Sequence, residues 1–272
     1  MNRKQAKIVK RILGAALALL WLLCSCSGNV SSPETSPIPL ADGQTAAGDK
    51  LVLATLNIKH GAEGLEKIAE AIRAVSPDVV GLEEVDVGCN RSGFADEPAE
   101  LARLSGYAYY AFAKAISLGD GEYGTALLSR YPIERFEVIP LASGNGESRS
   151  VGHATVTVNG QRLDVLVTHL SYEDRAVRIG QMKTIAGMLA TFDRYVLMGD
   201  FNCFDLSEID NLGGGYYVNR TDRRYETFRP FPGFAPDNIV VSRHFTELSS
   251  GVSEAECSDH KLLYATFLQS GG

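Results

Sequence analysis

Tyr195-Val-Leu-Met-Gly-Asp-Phe-Asn202 is the stretch that decides the fold. Its apolar start is typical of a short buried strand, and Asp200 and Asn202 follow where that strand ends. A carboxylate in this place suits a hard cation such as Mg²⁺, or a water that is to be deprotonated. The later string Ser258-Asp259-His260 adds a second carboxylate and an imidazole, which suits proton transfer. Together the two strings indicate half of a metal-assisted phosphoester hydrolase site.

Other polar residues follow apolar runs in the same way. Asn57, Glu84 and His169 each lie at or just past the end of a predicted strand, as Asp200 does. Because loops at one edge of a rigid sheet converge, we expect these four side chains to border one cleft. Asn159-Gly160 is a strong hairpin signal, so the pattern mixes hairpins with strand–helix–strand units and predicts one or two mixed sheets with helices outside. The strongest predicted strands are Leu51–Ile58, Val79–Leu82, Tyr107–Ala115, Gly124–Ser129, Val151–Val158, Gln161–Thr168, Tyr195–Met198, Asn238–Ser242 and Leu262–Phe267, and the predicted helices cover 62–75, 98–104 and 173–191.

Residues 1–25 are expected to be a signal peptide and not part of the fold. Basic residues precede the apolar run Ile12–Leu23, which is short for a membrane span. Leu23-Cys24-Ser25-Cys26 resembles the lipobox of a bacterial lipoprotein, with Cys26 as the lipidated residue, and a plain signal peptide or an uncleaved anchor is the alternative. Residues 26–48 are rich in Ser, Pro and Gly, which predicts a flexible lipid-anchored tether before a single domain at 49–270. The expected location is the bacterial cell envelope outside the cytoplasm, on the periplasmic or the outer surface.

The charge of the chain disfavours one class of partner. Removing residues 1–25 takes away five positive charges and no negative ones, so the formal charge changes from −7 to −12. Tight, sequence-independent binding of duplex nucleic acid depends on Lys and Arg, so this balance argues against it, although a local basic patch is compatible with a nuclease. Beyond the lipobox only three cysteines remain, Cys89, Cys203 and Cys257; their spacing fits no zinc template, and the sequence does not reveal whether any of them pair.

Seven strings resemble the endonuclease/exonuclease/phosphatase superfamily, which has the deoxyribonuclease-I-like fold. They occur in the family's order and cover almost the whole predicted domain. Any one of them is a weak signal, but seven in order are a strong one. The strings are Thr55-Leu-Asn-Ile58, Pro77-Asp-Val-Val-Gly-Leu-Glu-Glu-Val85, Tyr123-Gly-Thr-Ala-Leu-Leu-Ser129, Thr168-His-Leu170, Gly199-Asp-Phe-Asn202, Asp237-Asn-Ile-Val-Val-Ser242 and Ser258-Asp-His260. The resemblance implies an α/β (α+β) fold, a four-layer sandwich of two packed mixed β-sheets flanked by helices.

The resemblance also implies a metal side of the site. Glu84 would be the principal ligand of Mg²⁺, or of Mn²⁺ in its place, and Asn57 and Asp259 would complete the surroundings with waters. A Mg²⁺ ion held by few protein ligands keeps room for a phosphate oxygen of the substrate.

The remaining implied roles concern water and phosphate. Asp200 would orient or deprotonate the attacking water, and Asn202 would hold a non-bridging oxygen. His260, with its tautomer fixed by Asp237, and His169 would both face the phosphate and could both be imidazolium ions. Glu122 is the candidate carboxylate for orienting His169, and Arg149 would contact the substrate or only pair with a carboxylate.

The sequence departs from the family pattern in three places. Glu83 stands where Gln is usual and is expected to be an outward-facing neighbour of the ligand Glu84. Asn238 replaces an aromatic residue or a histidine, which predicts a smaller pocket wall. The stretch Tyr225–Ala235 matches only loosely and is expected to form a loop on the substrate side.

The expected function is therefore Mg²⁺-dependent hydrolysis of a phosphoester, foremost a phosphodiester, by in-line attack of water without a covalent intermediate. The chain contains no G-x-S-x-G nucleophile elbow and no P-loop. A phospholipid head group, extracellular nucleic acid and a sugar or inositol phosphate monoester all stay open as substrates. A surface lipoprotein that binds a ligand without catalysis is the alternative from another class. The membrane is the expected partner through the lipid anchor, and no protein partner is indicated.

Overall fold

The computed structural model of the protein describes residues 50–270. The predicted signal peptide, Cys26 and the tether lie outside the described residues. Within them no helix is long and apolar enough to cross a membrane. The strands are β1 (Lys50–Asn57), β2 (Val79–Val87), β3 (Tyr109–Leu118), β4 (Gly121–Ser129), β5 (Ile133–Leu141), β6 (Arg149–Val158), β7 (Gln161–His169), β8 (Tyr195–Asp200), β9 (Tyr216–Tyr217), β10 (Asp237–Val241), β11 (Phe245–Val252) and β12 (Leu263–Gln269), and the helices are α1 (Leu65–Val75), α2 (Glu97–Ser105) and α3 (Arg175–Leu189).

These strands form two mixed sheets of six strands each. The first has the order β11-β12-β1-β2-β4-β3, and the second has the order β5-β6-β7-β8-β10-β9. Each sheet contains one parallel pair, β1 with β2 in the first and β7 with β8 in the second. The other neighbouring strands are antiparallel. Among them, β6 and β7 are joined by the predicted hairpin at Asn159-Gly160.

The two sheets pack face to face, and the helices cover their outer faces. Alternate residues of β1 point in opposite directions, so Leu53 enters the apolar core between the sheets while Leu56 packs under α1 and α2. On the far side, Met182 and Ile185 of α3 pack on the outer face of the second sheet. The expectation of a four-layer sandwich is therefore confirmed.

Two of the three helices start later than the sequence periodicity predicts. Helix α1 begins at Leu65 rather than at residue 62, because Gly64 has a φ of 101° and cannot belong to a right-handed helix. Helix α3 begins at Arg175, where the carboxylate of Asp174 caps the first turn. The three cysteines of the described residues, Cys89, Cys203 and Cys257, are all buried and free.

The sheet topology brings the polar strand ends together. Strands β1, β7 and β8 end at Asn57, His169 and Asp200, and His169 lies directly beside Asp200 in the parallel pair. Asp237 opens β10 opposite Asp200. Gly199 allows this close approach, because a Cβ atom on it would lie 1.9 Å from the carbonyl oxygen of Thr168.

Candidate active site

Asp200 lies at the centre of a cluster of polar side chains. Its Oδ2 accepts a hydrogen bond from Nδ2 of Asn57 at 3.2 Å, and its Oδ1 accepts one from the backbone N–H of Asn202 at 2.9 Å. Nε2 of His169 and Nε2 of His260 lie 3.6 and 3.8 Å from the same Oδ2. These two distances exceed a hydrogen bond but permit a strong charge interaction in a buried site. The cluster thus places one carboxylate and two imidazoles at a common point.

His260 and Asp237 form the buried carboxylate–imidazole pair that the sequence predicts. Nδ1 of His260 lies 2.9 Å from Oδ2 of Asp237, and Asp237 is fully buried. Burial alone would lower the pKa of His260, but the charge and the hydrogen bond of Asp237, helped by Asp200, raise it to about 10. His260 is therefore an imidazolium ion at neutral pH and carries positive charge into the cluster.

The pKa of Asp200 lies above that of an ordinary surface carboxylate. Burial, and then the negative charge of Asp237, raise the pKa of Asp200 to about 7, against the lowering effect of His260. A carboxylate with a pKa in this range suits general-base chemistry near neutral pH.

His169 differs from the expectation in two respects. Glu122 does not orient it, because the Glu122 carboxylate lies at the surface and pairs with Nζ of Lys114 at 2.7 Å. No acceptor or donor among residues 50–270 lies within hydrogen-bond distance of Nδ1 of His169. Burial, and then the charges of Arg149 and His260, hold the pKa of His169 well below its ordinary value. The expectation of a second imidazolium ion is wrong, and His169 is neutral.

Glu84 lies at a β-bulge in β2 that the sequence pattern does not predict. The pairing of β2 with β4 shifts register between Leu82 and Val85, and Glu84 has φ of 56°, a backbone conformation that non-glycine residues rarely adopt. Such strained residues cluster at functional sites. Unlike Asn57, His169 and Asp200, Glu84 therefore lies within a strand and not at its end.

Asn57 contacts both neighbouring carboxylates. Its amide nitrogen donates to Oε1 of Glu84 at 3.0 Å as well as to Asp200, and its amide oxygen accepts the backbone N–H of Lys59 at 3.1 Å. Asn57 therefore holds Glu84 and Asp200 in place, and its part in the surroundings of a metal stays a prediction.

The carboxylates on this side fit a hard divalent cation. Glu84 is half-buried and, among the described residues, only one of its oxygens has a hydrogen-bond partner. Asp259 is partly exposed, and Oδ2 of Asp259 pairs with Nζ of Lys59 at 3.1 Å. Oxygen donors of this kind are the ligands that Mg²⁺ and Mn²⁺ take in proteins.

A second group of residues in the described chain has ligand-like spacing. Asp200, Asp237 and His260 offer ligand atoms that all lie within 4.8 Å of one another. However, Asp237 and His260 are already hydrogen-bonded to each other, and Oδ2 of Asp200 already accepts from Asn57. This trio is better suited to moving protons, and Glu84 with Asp259 is better suited to holding the ion.

Asn202 and Glu83 support the site from below. Nδ2 of Asn202 donates to the carbonyl oxygen of Leu170 at 2.9 Å, so one of its two amide hydrogens is committed to the loop after β7. Glu83 is wholly buried and accepts a hydrogen bond from Oγ1 of Thr55 at 2.8 Å, so the expectation of an outward-facing neighbour is wrong. Ordinary strand alternation turns Glu83 inward between the sheets, as it does Val79 and Gly81, and the bulge that follows leaves Glu84 toward Asn57.

The remaining sequence expectations are resolved by contacts. NH1 of Arg149 pairs with Oε1 of Glu147 at 2.9 Å. Of the two predicted contacts of Arg149, the structure therefore contains the one with a carboxylate. The side chain of Asn238 is bonded to the backbone N–H and carbonyl of Asn219 at 2.9 and 2.8 Å, so it anchors the chain after β9. Phe228, from the loosely matching loop, lies with its ring centroid 4.9 Å from that of His260.

Lys59 is the site residue that sequence reasoning missed. Its contact with Asp259 depends on the positive φ of Lys59 and His60, which no residue preference predicts. The only available signal was the Gly61 that follows them in the chain. A glycine such as Gly61 often indicates a turn, but it does not indicate where the side chain of Lys59 points.

With this geometry in place, the family can be stated. The sequence model of the endonuclease/exonuclease/phosphatase family matches residues 54–260. The chain belongs to this family, a class of phosphoester hydrolases that generally depend on a divalent metal.

Three of the individual proteins that the chain resembles share 20–26% sequence identity with it. The chain is 26% identical over 165 residues to the uncharacterized protein YbhP of Escherichia coli (strain K12), and the match covers 54% of this chain and 65% of YbhP, less than two thirds of its length. The crystal structure of an endonuclease/exonuclease/phosphatase from Beutenbergia cavernae is similar with a TM-score of 0.68 and 24% identity, over 82% of this chain and 72% of that one. D. rerio TDP2 complexed with single strand DNA product is similar with a TM-score of 0.64 and 20% identity, over 80% of this chain and 98% of that one. These two structures support the fold.

Proposed function

We propose that the protein is a Mg²⁺-dependent phosphodiesterase in which an activated water attacks phosphorus in line and no covalent intermediate forms. The observation that carries this proposal is the convergence of Asp200, neutral His169 and cationic His260 beside the carboxylate of Glu84. These groups can supply a base, two donors and a cation site around one phosphate.

Asp200 acts on the nucleophile. Its Oδ2 is the oxygen toward which both histidines face, so a water between this oxygen and phosphorus would be held in place for attack. Because burial raises the pKa of Asp200 to about 7, it can accept the proton of that water and become a neutral acid. Asn57 keeps the carboxylate turned toward the site through its 3.2 Å hydrogen bond.

His260 acts on the charge that develops at phosphorus. As an imidazolium paired with Asp237 it offers Nε2–H to a phosphate oxygen, and its charge is already buried and oriented before the substrate arrives. His169, being neutral, serves as a hydrogen-bond donor rather than as a second cation. Asn202 has one amide hydrogen left for a non-bridging oxygen after its bond to Leu170.

Glu84 and Asp259 are the residues that would hold the Mg²⁺ ion. When bound there, the ion would polarise the phosphate and offset the negative charge on the leaving oxygen. Lys59 now pairs with Asp259, so binding of a cation at this carboxylate would compete with that ion pair. Asn57 contributes by fixing Glu84.

The proposed substrate is a phosphodiester presented at a membrane, foremost a phospholipid head group. The lipobox-like string at Cys26 supports a lipid-anchored location outside the cytoplasm, and the formal charge of −12 without residues 1–25 disfavours duplex nucleic acid. Phe228 beside His260 offers an apolar surface next to the phosphate. The competing candidate is a nuclease, which is favoured by the similarity to a TDP2 structure that holds a single-stranded DNA product.

A substrate panel tests the proposal. Purified protein would be assayed with a phosphocholine-type lipid diester, single- and double-stranded DNA, and an inositol phosphate monoester, each with Mg²⁺, Mn²⁺ or EDTA. The proposal predicts metal-dependent release of the lipid head group that EDTA abolishes. Cleavage of DNA alone would replace the substrate class with nucleic acid, and cleavage of the monoester alone would make the protein a phosphatase. Metal titration without any binding would favour a non-catalytic surface protein.

The proposed membrane location has its own test. Cells expressing the full chain or Cys26→Ala would be labelled with a radioactive fatty acid and fractionated. Lipidation predicts label and membrane association in the full chain and loss of both in the variant. Equal fractionation without label would instead favour a plain signal peptide if both proteins are released, or an uncleaved anchor if both stay at the membrane.

A further inference from the structure

A small polar cavity lies directly behind His169. It is lined by Ala115 and Tyr123-Gly124-Thr125 from β3 and β4, by Arg149-Ser150 at the start of β6, and by His169. The cavity comprises about 190 Å³ of empty space, part of which is open solvent, and it has room for about one water molecule.

Four buried polar atoms on its walls have no hydrogen-bond partner within residues 50–270. They are Oγ1 of Thr125, Nε of Arg149, Oγ of Ser150 and Nδ1 of His169. The four residues are each 6% exposed or less. A single buried polar atom without a partner is costly and uncommon in a native protein, and four around one cavity indicate that something binds there.

Charge and size decide what the occupant is. The positive charge of Arg149 is already compensated by Glu147 at 2.9 Å, and Glu173 contributes further negative charge nearby, so the cavity offers little to an anion. Its walls present donors and acceptors in a mixture, which suits a small group that both donates and accepts. A water has this chemistry and this size.

We propose that the cavity binds one ordered water that hydrogen-bonds to Nδ1 of His169, and that Thr125, Arg149 and Ser150 are positioning residues for the reaction. The proposal rests on the proposed function for its catalytic consequence. Arg149 Nε can only donate, so the water accepts from it and has its own hydrogens left for acceptors. The water then donates to Nδ1 of His169 and to the oxygen of one hydroxyl group, and it accepts from the other, so both Thr125 and Ser150 hold it.

This arrangement fixes the tautomer of His169. With Nδ1 accepting, the proton of the neutral ring must be on Nε2, the atom that faces Asp200 at 3.6 Å. His169 then presents Nε2–H as a donor to the phosphate. A carboxylate partner would accept a hydrogen bond from Nδ1–H, so the ring could donate from Nε2 as well only as an imidazolium ion. The lowered pKa of His169 agrees with a neutral partner on this side.

Two measurements test the water directly. A high-resolution crystal structure of the wild type is expected to show one water within hydrogen-bond distance of Nδ1 of His169 and of Nε of Arg149. Nitrogen-15 NMR of the histidine ring is expected to show a neutral ring protonated on Nε2. A dry cavity, a larger anion in it, or a ring protonated on Nδ1 would each overturn the proposal, whether or not the protein hydrolyses any substrate in the panel.

Kinetics of matched variants test the positioning role. Thr125→Val removes a buried hydroxyl at nearly constant volume and is expected to lower kcat about tenfold with KM unchanged, because one hydrogen bond of the water is lost. Thr125→Ser restores the hydroxyl and is expected to recover most of the loss. Thr155→Val, which removes a buried hydroxyl beside Asp164 and away from the cavity, controls for packing. If Thr125→Val folds and keeps the wild-type kcat, or if Thr125→Ser is as slow as the valine variant, the positioning role is wrong.

Discussion

Replacing Asp237 with asparagine is the most informative perturbation of the site. The change keeps the size of the side chain but removes the buried charge that lies 2.9 Å from Nδ1 of His260. The pKa of His260 is about 10 with the carboxylate present, and burial alone would place it below its ordinary value. The net rise of about 3.5 units, from 6.5 to about 10, corresponds to about 5 kcal/mol, most of it from Asp237 and the rest from Asp200 and Asp259. His260 therefore becomes neutral at physiological pH in this variant.

The expected result is a large fall in kcat and a change in the pH dependence of stability. With the imidazolium lost, kcat for metal-dependent hydrolysis of bis(p-nitrophenyl) phosphate at neutral pH should fall by about 10² to 10⁴, while KM changes little. Because the folded-state pKa of His260 lies above its unfolded value, the pair stabilises the protein fully below pH about 6.5, and this stability is lost as the pH rises through about 10. Urea unfolding in EDTA over that range should show the loss in the wild type and a flatter profile in Asp237→Asn.

The chain offers a matched control for this experiment. Asp164 is also buried and lies 2.9 Å from Nε2 of His153, but this pair is outside the site. Asp164→Asn should affect stability and leave kcat within about twofold, since it does not touch the reacting groups. The reasoning is refuted if folded Asp237→Asn keeps a wild-type kcat, or if Asp164→Asn lowers kcat as strongly.

Three further predictions concern the metal, pH and packing. Glu84→Gln should weaken Mg²⁺ or Mn²⁺ binding by about 10- to 100-fold in calorimetric titration, and an unchanged affinity would remove Glu84 from the metal site. Burial raises the pKa of Glu97 to about 7, above its unfolded value, so stability is lost as the pH rises through about 7. In urea unfolding at alkaline pH, Glu97→Gln should therefore be more stable than the wild type by about 1 to 3 kcal/mol. Equal unfolding free energies of the two proteins would contradict this. Arg178→Met leaves the buried carboxylate of Glu208 with Arg175, 3.3 Å away, as its remaining ion-pair partner and should cost about 3 kcal/mol, whereas a loss below about 1 kcal/mol would show that the pair with Arg178 is not needed.

Much of this molecule follows from local sequence. The alternation in β1 separates residues of the inner core from those under the helices, and the apolar run before Asp200 forms the buried strand that it predicts. The carboxyl ends of β1, β7 and β8 then bring Asn57, His169 and Asp200 together, because the parallel strands β7 and β8 end at the same edge of their sheet and β1 of the other sheet packs against β8. The contact between Asp237 and His260 is also as predicted.

The inward position of Glu83 follows from the alternation of β2 that starts at Val79. Two other features depend on backbone geometry that the sequence does not reveal. A single bulge in β2 gives Glu84 its positive φ, and alternation alone cannot show where a strand gains an extra residue. The left-handed conformations of Lys59 and His60 place a lysine on Asp259 in the same unforeseeable way.

The partner of His169 could not be found from sequence for a different reason. The resemblance implies a carboxylate partner for this ring, and Glu122 is the candidate because it directly precedes Tyr123-Gly124 in a matching string. The structure shows instead that Glu122 points to solvent and that hydroxyl groups and a guanidinium lie behind the ring. Such residues give no pattern that separates a site from an ordinary core.

The central claim is that Asp200 activates water for metal-dependent hydrolysis of a phosphodiester. The most direct measurement is the initial rate of hydrolysis of a diester by the wild type and by Asp200→Asn, each with saturating Mg²⁺ and with EDTA. The account predicts that EDTA abolishes the wild-type rate and that Asp200→Asn, which keeps the 3.2 Å neighbour Asn57 and still binds the metal, is slower by about 10³. A metal-saturated Asp200→Asn protein that hydrolyses the diester at the wild-type rate, or a wild type that is fully active in EDTA, would contradict it.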